Sequence, residues 1–133
     1  MSNSIKSSKV VRRGTLAAIN AVETDPKGLR KGDPGAKFDA GKVRPSLILN
    51  DMPRAMLAVA EVGTYGAEKY SDGGWKYVAG GVERYTDAMD RHRLKEGIEL
   101  NDEDSGLLHA AQVAWNALAR LELMLREQNS DTV

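Results

Sequence analysis

Apolar positions recur at helical spacing through the middle and the end of the chain. Met56, Val59 and Ala60 follow Asp51 and Pro53, either of which can start a helix, and predict a first long helix. Ser71-Asp72-Gly73-Gly74 stops it, and Gly80-Gly81 marks a second break. Val82, Tyr85 and Met89 then form the apolar stripe of a second helix over residues 82–96. Leu107, Ala111, Ala114, Leu118, Leu121 and Leu125 follow at spacings of 4, 3, 4, 3 and 4. They predict a third helix over residues 107–127 with a near-heptad seam. Such a seam is ~30 Å long. One small domain covers it poorly, so a homodimer or homotetramer is expected. The pattern as a whole predicts an all-α fold: a small helical bundle with an irregular N-terminal segment.

The rest of the chain frames this bundle. Residues 1–12 are Ser- and Lys-rich and end in Val-Val-Arg-Arg, which reads as a mobile basic arm. Residues 14–22 carry Leu16, Ile19 and Val22 at the spacing of a short helix. Two Pro and three Gly between Asp25 and Gly35 predict loop. The expected organisation is the arm, a single domain over residues 13–127 and a tail over 128–133.

Composition narrows the function classes. Lys plus Arg and Asp plus Glu each number 19 in 133 residues, so no net field favours nucleic acid or an anionic membrane. There is no Cys, which excludes disulfides and thiolate metal sites and is compatible with a reducing compartment. No apolar run approaches the ~18 residues of a membrane span, and no signal peptide is legible. A cytoplasmic setting is the expectation.

The charged residues are patterned. Glu61 and Glu68 share a face of the first helix. Glu83, Asp87 and Asp90 give the second helix an acidic face, and Arg84, Arg91 and Lys95 a basic one. Charge runs of this kind are commonly solvated faces, yet two carboxylates one turn apart are also how bundles hold Mg2+ or Mn2+. His109, Gln112 and Asn116 lie on one stripe of the third helix and fit either a structural role or a pocket lining. The acids of Asp102-Glu103-Asp104-Ser105 precede that helix, where capping and the dipole favour them in any case. Trp75, between two glycine breaks, can stack on a base or cap the core. Upstream, Lys37, Lys42 and Arg44 stand on a glycine-flexed segment. Five residues separate Gly35 from Gly41 and Val43 follows Lys42, so this is not a Walker loop. The three cations can clasp a polyphosphate or remain a solvated loop.

These pieces together resemble a phage family of dATP/dGTP diphosphohydrolases, itself similar to the all-α MazG-type nucleotide pyrophosphohydrolases. The resemblance rests on Lys37-Phe38-Asp39-Ala40-Gly41-Lys42, Thr64-Tyr65-Gly66-Ala67-Glu68-Lys69-Tyr70, Trp75, Asp87-Ala88 with Arg91-His92, Asp102 through His109, and Ala114-Trp115-Asn116. It covers residues 35–122. It implies hydrolysis of a purine deoxynucleoside triphosphate, dGTP and also GTP, to the monophosphate and pyrophosphate. Similarity to cyanophage members further implies that the dGMP feeds synthesis of a 2-aminoadenine nucleotide. Two or three Mg2+ or Mn2+ ions are implied; among the carboxylates present Glu61, Glu83 and Asp87 lead as ligands with Asp104 in support, and Asp102, Asp104 and His109 form the rival set. Lys69, Asp87, Arg91 and His92 become the catalytic candidates. Lys37, Asp39, Lys42, Tyr70, Trp75, His109, Gln112 and Asn116 become the nucleotide-binding ones. The carboxylate spacing departs from the MazG pattern of Glu-x-x-Glu followed by Glu-x-x-Asp: Glu61 and Glu68 are seven apart, Glu83 and Asp87 four. Two other readings stay open. One is a non-catalytic phage protein that binds nucleic acid through the basic arm, and the other is a helical interaction module whose charges are only surface.

Overall fold

The computed structural model describes residues 22–130. The expected arm, most of the short helix over 14–22 and the end of the tail lie outside them. The chain divides into two compact units, Met1–Ser46 and Leu47–Val133.

The described part of the first unit is irregular and organised by one carboxylate. Asp25 accepts from the amides of Lys27 at 2.7 Å, Leu29 at 3.4 Å and Lys37 at 2.7 Å, which fold the Pro- and Gly-rich stretch around it. These bonds, the one from Lys37 first, outweigh burial and hold the Asp25 carboxyl below its usual range. A glycine is needed at Gly28, whose φ of 79° lets its amide return to the Asp25 carbonyl. Lys42 pairs with Glu23 at 2.7 Å.

Helix α1 (Ser46–Leu49) leads into the second unit. There α2 (Pro53–Lys69), α3 (Gly81–Glu96) and α4 (His109–Ser130) form the bundle, with a 3-10 turn over Gly74–Tyr77 between α2 and α3. Among the described residues there is no strand, only an isolated bridge between Asn101 and Leu108 that closes the loop before α4. The all-α expectation is met. No described helix is long and apolar enough to cross a membrane.

Local chemistry explains the boundaries. Pro53 opens α2 at a position where its missing N–H costs nothing. Gly73 and Gly80 precede the next two helices with φ of 68° and 64°, a region that other residues enter with strain. α4 packs most extensively on α3 and less on α2. Gly81 is buried at the α3–α4 crossing, where an added Cβ would stand 2.7 Å from Leu123 Cδ1.

The packing face of α4 differs from the seam read in the sequence. Ala111 of that seam is buried, but Leu118 and Leu121 are about half exposed, at 51% and 48%. The stripe that goes inside is His109, Asn116 and Ala119, with Gln112 half-buried between them. Alongside Val62 and the two alanines, the buried side chains of this unit are therefore polar. Trp75, Tyr85 and Trp115 add a mutually edge-to-face trio, with ring centroids 5.7 to 6.3 Å apart. Each such pair contributes about 0.5–1.5 kcal/mol beyond its buried area.

Two glycines of α2 separate propensity from packing. At Gly66 an added Cβ meets nothing within 4 Å, whereas at Gly63 it stands 3.2 Å from Trp115 Nε1. Gly66→Ala is expected to raise unfolding free energy by about 1 kcal/mol. Gly63→Ala should gain less than that or lose stability, because the aromatic trio leaves Trp115 no room to retreat. Denaturant unfolding of the two variants measures this, and equal gains would contradict the packing described.

Candidate active site

One cleft of about 820 Å³ runs through the second unit. Gly63, Gly66 and Lys69 of α2, with Tyr70 just after the helix, form one wall. Arg84, Asp87, Arg91, His92 and Lys95 of α3 form another. Asp102 and Asp104 from the loop, Gln112, Trp115 and Asn116 of α4, and Trp75 and Tyr85 complete the lining. That volume is in the range of small-molecule sites, ~300–1,000 Å³.

Cations, carboxylates, an imidazole and aromatic rings thus share one concavity. The Lys69 ammonium stands 5.9 Å from the Tyr65 ring centroid and 5.4 Å from that of Tyr70. Tyr70 first, then Tyr65, push its pKa up, so it stays cationic. Trp75 both packs and lines: its edge-to-face contacts fix the ring, and Tyr85 donates to its carbonyl at 2.9 Å. Tyr70, 77% exposed, is the freer ring at the rim.

The loop acids do more than cap a helix. Asp102 Oδ2 accepts from Gln112 Nε2 at 3.1 Å and from the Ser105 hydroxyl at 3.0 Å, and Gln112 also donates to Ser105 Oγ at 3.0 Å. Part burial pushes the Asp102 carboxyl up. The bonds from Gln112 and Ser105, the Asp104 amide and nearby His92 together outweigh this, and the net shift is downward. Asn116 spends its amide N–H on the Gln112 carbonyl at 2.8 Å.

His92 and His109 form a bonded pair. Their Nδ1 atoms are 2.9 Å apart, and His109 Nε2 is 2.9 Å from Glu99 Oε1. His109 has no exposed surface, while His92 lines the cleft. Burial pushes the His92 pKa down, and His109, Lys95 and Arg91 add to this against the pull of Asp102, so the ring is neutral near pH 7.

Of the residues singled out in the sequence, Lys69, Tyr70, Trp75, Asp87, Arg91, His92, Asp104, Gln112 and Asn116 come together here. His109 stands behind the wall, against His92. Lys37, Asp39 and Lys42 belong to the first unit. Glu61 and Glu83 are exposed and do not line the cleft, so the expected carboxylate set of Glu61, Glu83, Asp87 and Asp104 is divided. Among the described residues, no three His, Asp or Glu side chains converge to hold an ion by themselves. Mg2+ asks for less: it retains waters and binds through one or two carboxylates plus substrate phosphates. Of the expected ligands, Asp87 and Asp104 are the two that line the cleft. Asp102, Tyr85 and Trp115 line the cleft although the leading candidate set lacks them, and Glu99, also outside that set, bonds His109 behind the wall. For Asp102 and Trp115 the signal existed, in the acidic turn and in the Ala-Trp-Asn segment.

The family model for the dATP/dGTP diphosphohydrolase N-terminal domain matches residues 32–133. No curated protein and no solved structure matches the chain.

The Asp102 bonds carry a pH signature. With its folded pKa below the unfolded value of about 3.9, its contribution is present above that pH and is lost as pH falls through the folded value. Asp102→Asn is therefore expected to be less stable than the native chain near neutrality, with the gap narrowing below about pH 4. Denaturant unfolding of both proteins across this pH range checks it, and a gap independent of pH would contradict the assignment.

Proposed function

The chain belongs to the dATP/dGTP diphosphohydrolase family, and on that premise we propose that it hydrolyses a purine deoxynucleoside triphosphate, dGTP foremost and GTP with it, to the monophosphate and pyrophosphate. The observation that carries this reading is the single cleft in which Lys69 and Arg91, Asp87 and Asp104, His92, and the rings of Tyr70 and Trp75 meet.

Each group has a task in that reaction. Water adds across the anhydride linkage between the α- and β-phosphates, so one new P–O bond forms as the bridging bond breaks. Lys69 and Arg91 neutralise phosphate oxygens as charge develops on the leaving pyrophosphate. His92, neutral near pH 7, takes the proton of the attacking water. Asp87 and Asp104 would hold Mg2+ or Mn2+, which when bound offsets the triphosphate charge and acidifies water. Tyr70 or Trp75 stacks on the base. Gln112 and Asn116 stand where an edge can be read, and a guanine-reading site leaves its own polar groups unpaired against adenine, which disfavours dATP. In this reading the dGMP formed is the precursor of a 2-aminoadenine nucleotide, as the resemblance to cyanophage members implies.

The test is product analysis. Incubated with each dNTP and Mg2+, the protein should release pyrophosphate and monophosphate together, fastest from dGTP, and a chelator should stop it. Asp87→Asn should lower turnover by roughly 100-fold or more while the protein stays folded. Sequential appearance of diphosphate and orthophosphate would overturn the assignment. Equal specificity constants for dGTP and dATP would overturn the base preference alone.

A further inference from the structure

Behind the cleft wall lies a three-residue chain that the proposed chemistry does not by itself require. Glu99 Oε1 is 2.9 Å from His109 Nε2, and His109 Nδ1 is 2.9 Å from His92 Nδ1. The two rings are tilted by 39° with centroids 5.2 Å apart, so they meet through their nitrogens and do not stack. The His109 side chain is wholly buried and that of Glu99 is 34% exposed.

The hydrogens in this chain can be assigned by elimination. An ionised carboxylate only accepts, so His109 Nε2 carries the donor hydrogen toward Glu99. A neutral imidazole has one N–H, which leaves His109 Nδ1 as acceptor. The hydrogen between the two Nδ1 atoms therefore belongs to His92. That leaves His92 Nε2 as the unprotonated nitrogen of the residue that lines the cleft.

We propose that Glu99 and His109 are positioning residues that hold His92 as its Nδ1–H tautomer, so that Nε2 is the proton acceptor offered to the cleft. Without them an imidazole exchanges between two tautomers and turns about its side-chain bonds, and in one of those tautomers Nε2 carries a hydrogen and cannot accept. This goes beyond the hydrolase reading in assigning roles to Glu99 and to the buried His109, and its catalytic part rests on that reading. One proton moves from water to His92 Nε2, and Nδ1–H continues to donate to His109, so neither His109 nor Glu99 changes its proton. The charged or titratable groups around His92 are Arg91 and Lys95 on its own helix, His109 on α4 and Asp102 on the loop.

The chain has two histidines, so both rings can be assigned by nitrogen NMR without ambiguity. In 15N-labelled protein near neutral pH, two-bond proton–nitrogen correlations should show His92 protonated at Nδ1 only and His109 at Nε2 only. A doubly protonated His109 with His92 protonated at Nε2, or averaged shifts at His92, would overturn the proposal whatever the enzyme's activity. Glu99, being part exposed, can be replaced without opening the core. In Glu99→Ala the His92 shifts should move to an average, and kcat for dGTP should fall by roughly 10- to 100-fold with KM little changed. Glu99→Gln, whose amide oxygen can still accept from His109, should retain more kcat than Glu99→Ala. An unchanged kcat in Glu99→Ala would overturn the positioning role. If the native protein turns over no nucleotide, the hydrolase reading fails, and the NMR result still decides the tautomer.

Discussion

A fully buried imidazole with both nitrogens bonded is the constraint on which the second unit depends. His109 joins Glu99, in the loop after α3, to His92, within α3, and does so from the first residue of α4. Buried polar groups must find partners, so this contact admits one register of α4 against α3. The loop between them is then committed. Asn101 and Leu108 bridge, and the Asn101 side chain donates to the Gly106 carbonyl at 2.8 Å. Asp102 is left facing Gln112 one turn further along α4. The buried apolar side chains nearby, Val62, Ala111 and Ala119, are small and specify little alone. Registration here comes from directional bonds, with the aromatic trio as the apolar complement.

The same constraint shapes the cleft. Arg84, Asp87, Arg91 and Lys95 recur three or four residues apart along α3, and that stripe faces the cavity with His92 beside it. The spacing sorts the acids of the helix. Asp87 is on the stripe, while Glu83 precedes Arg84 by one residue, about 100° around the helix, and stays in solvent. Asp90 turns instead toward Arg93 at 3.7 Å.

Much of this was legible in the chain. Periodicity and glycine breaks gave the three long helices, with the second starting at Gly81, one residue ahead of the expectation. Lys69, Asp87, Arg91 and His92, singled out through the family resemblance, line one cleft. What was not legible depends on partners distant in sequence. Leu118 and Leu121 advertised a packing seam, yet the buried stripe runs through His109 and Asn116. A histidine becomes an interior residue only when Glu99, ten positions back, and His92, seventeen back, stand at its two nitrogens. Glu99 reads as an ordinary surface acid for the same reason. Nothing local in the chain identifies Trp115 as the group that comes near Gly63.

The central claim is that the cleft between α2, α3 and α4 takes the nucleotide. The chain has two tryptophans, Trp75 and Trp115, and both line that cleft. Their indole N–H resonances in a proton–nitrogen spectrum are therefore local reporters. Titration with a dGTP analogue carrying a non-hydrolysable α–β linkage, in the presence of Mg2+, should shift both resonances along one saturable curve. Saturable binding of the analogue with both indole resonances unmoved would place the nucleotide elsewhere and contradict the account.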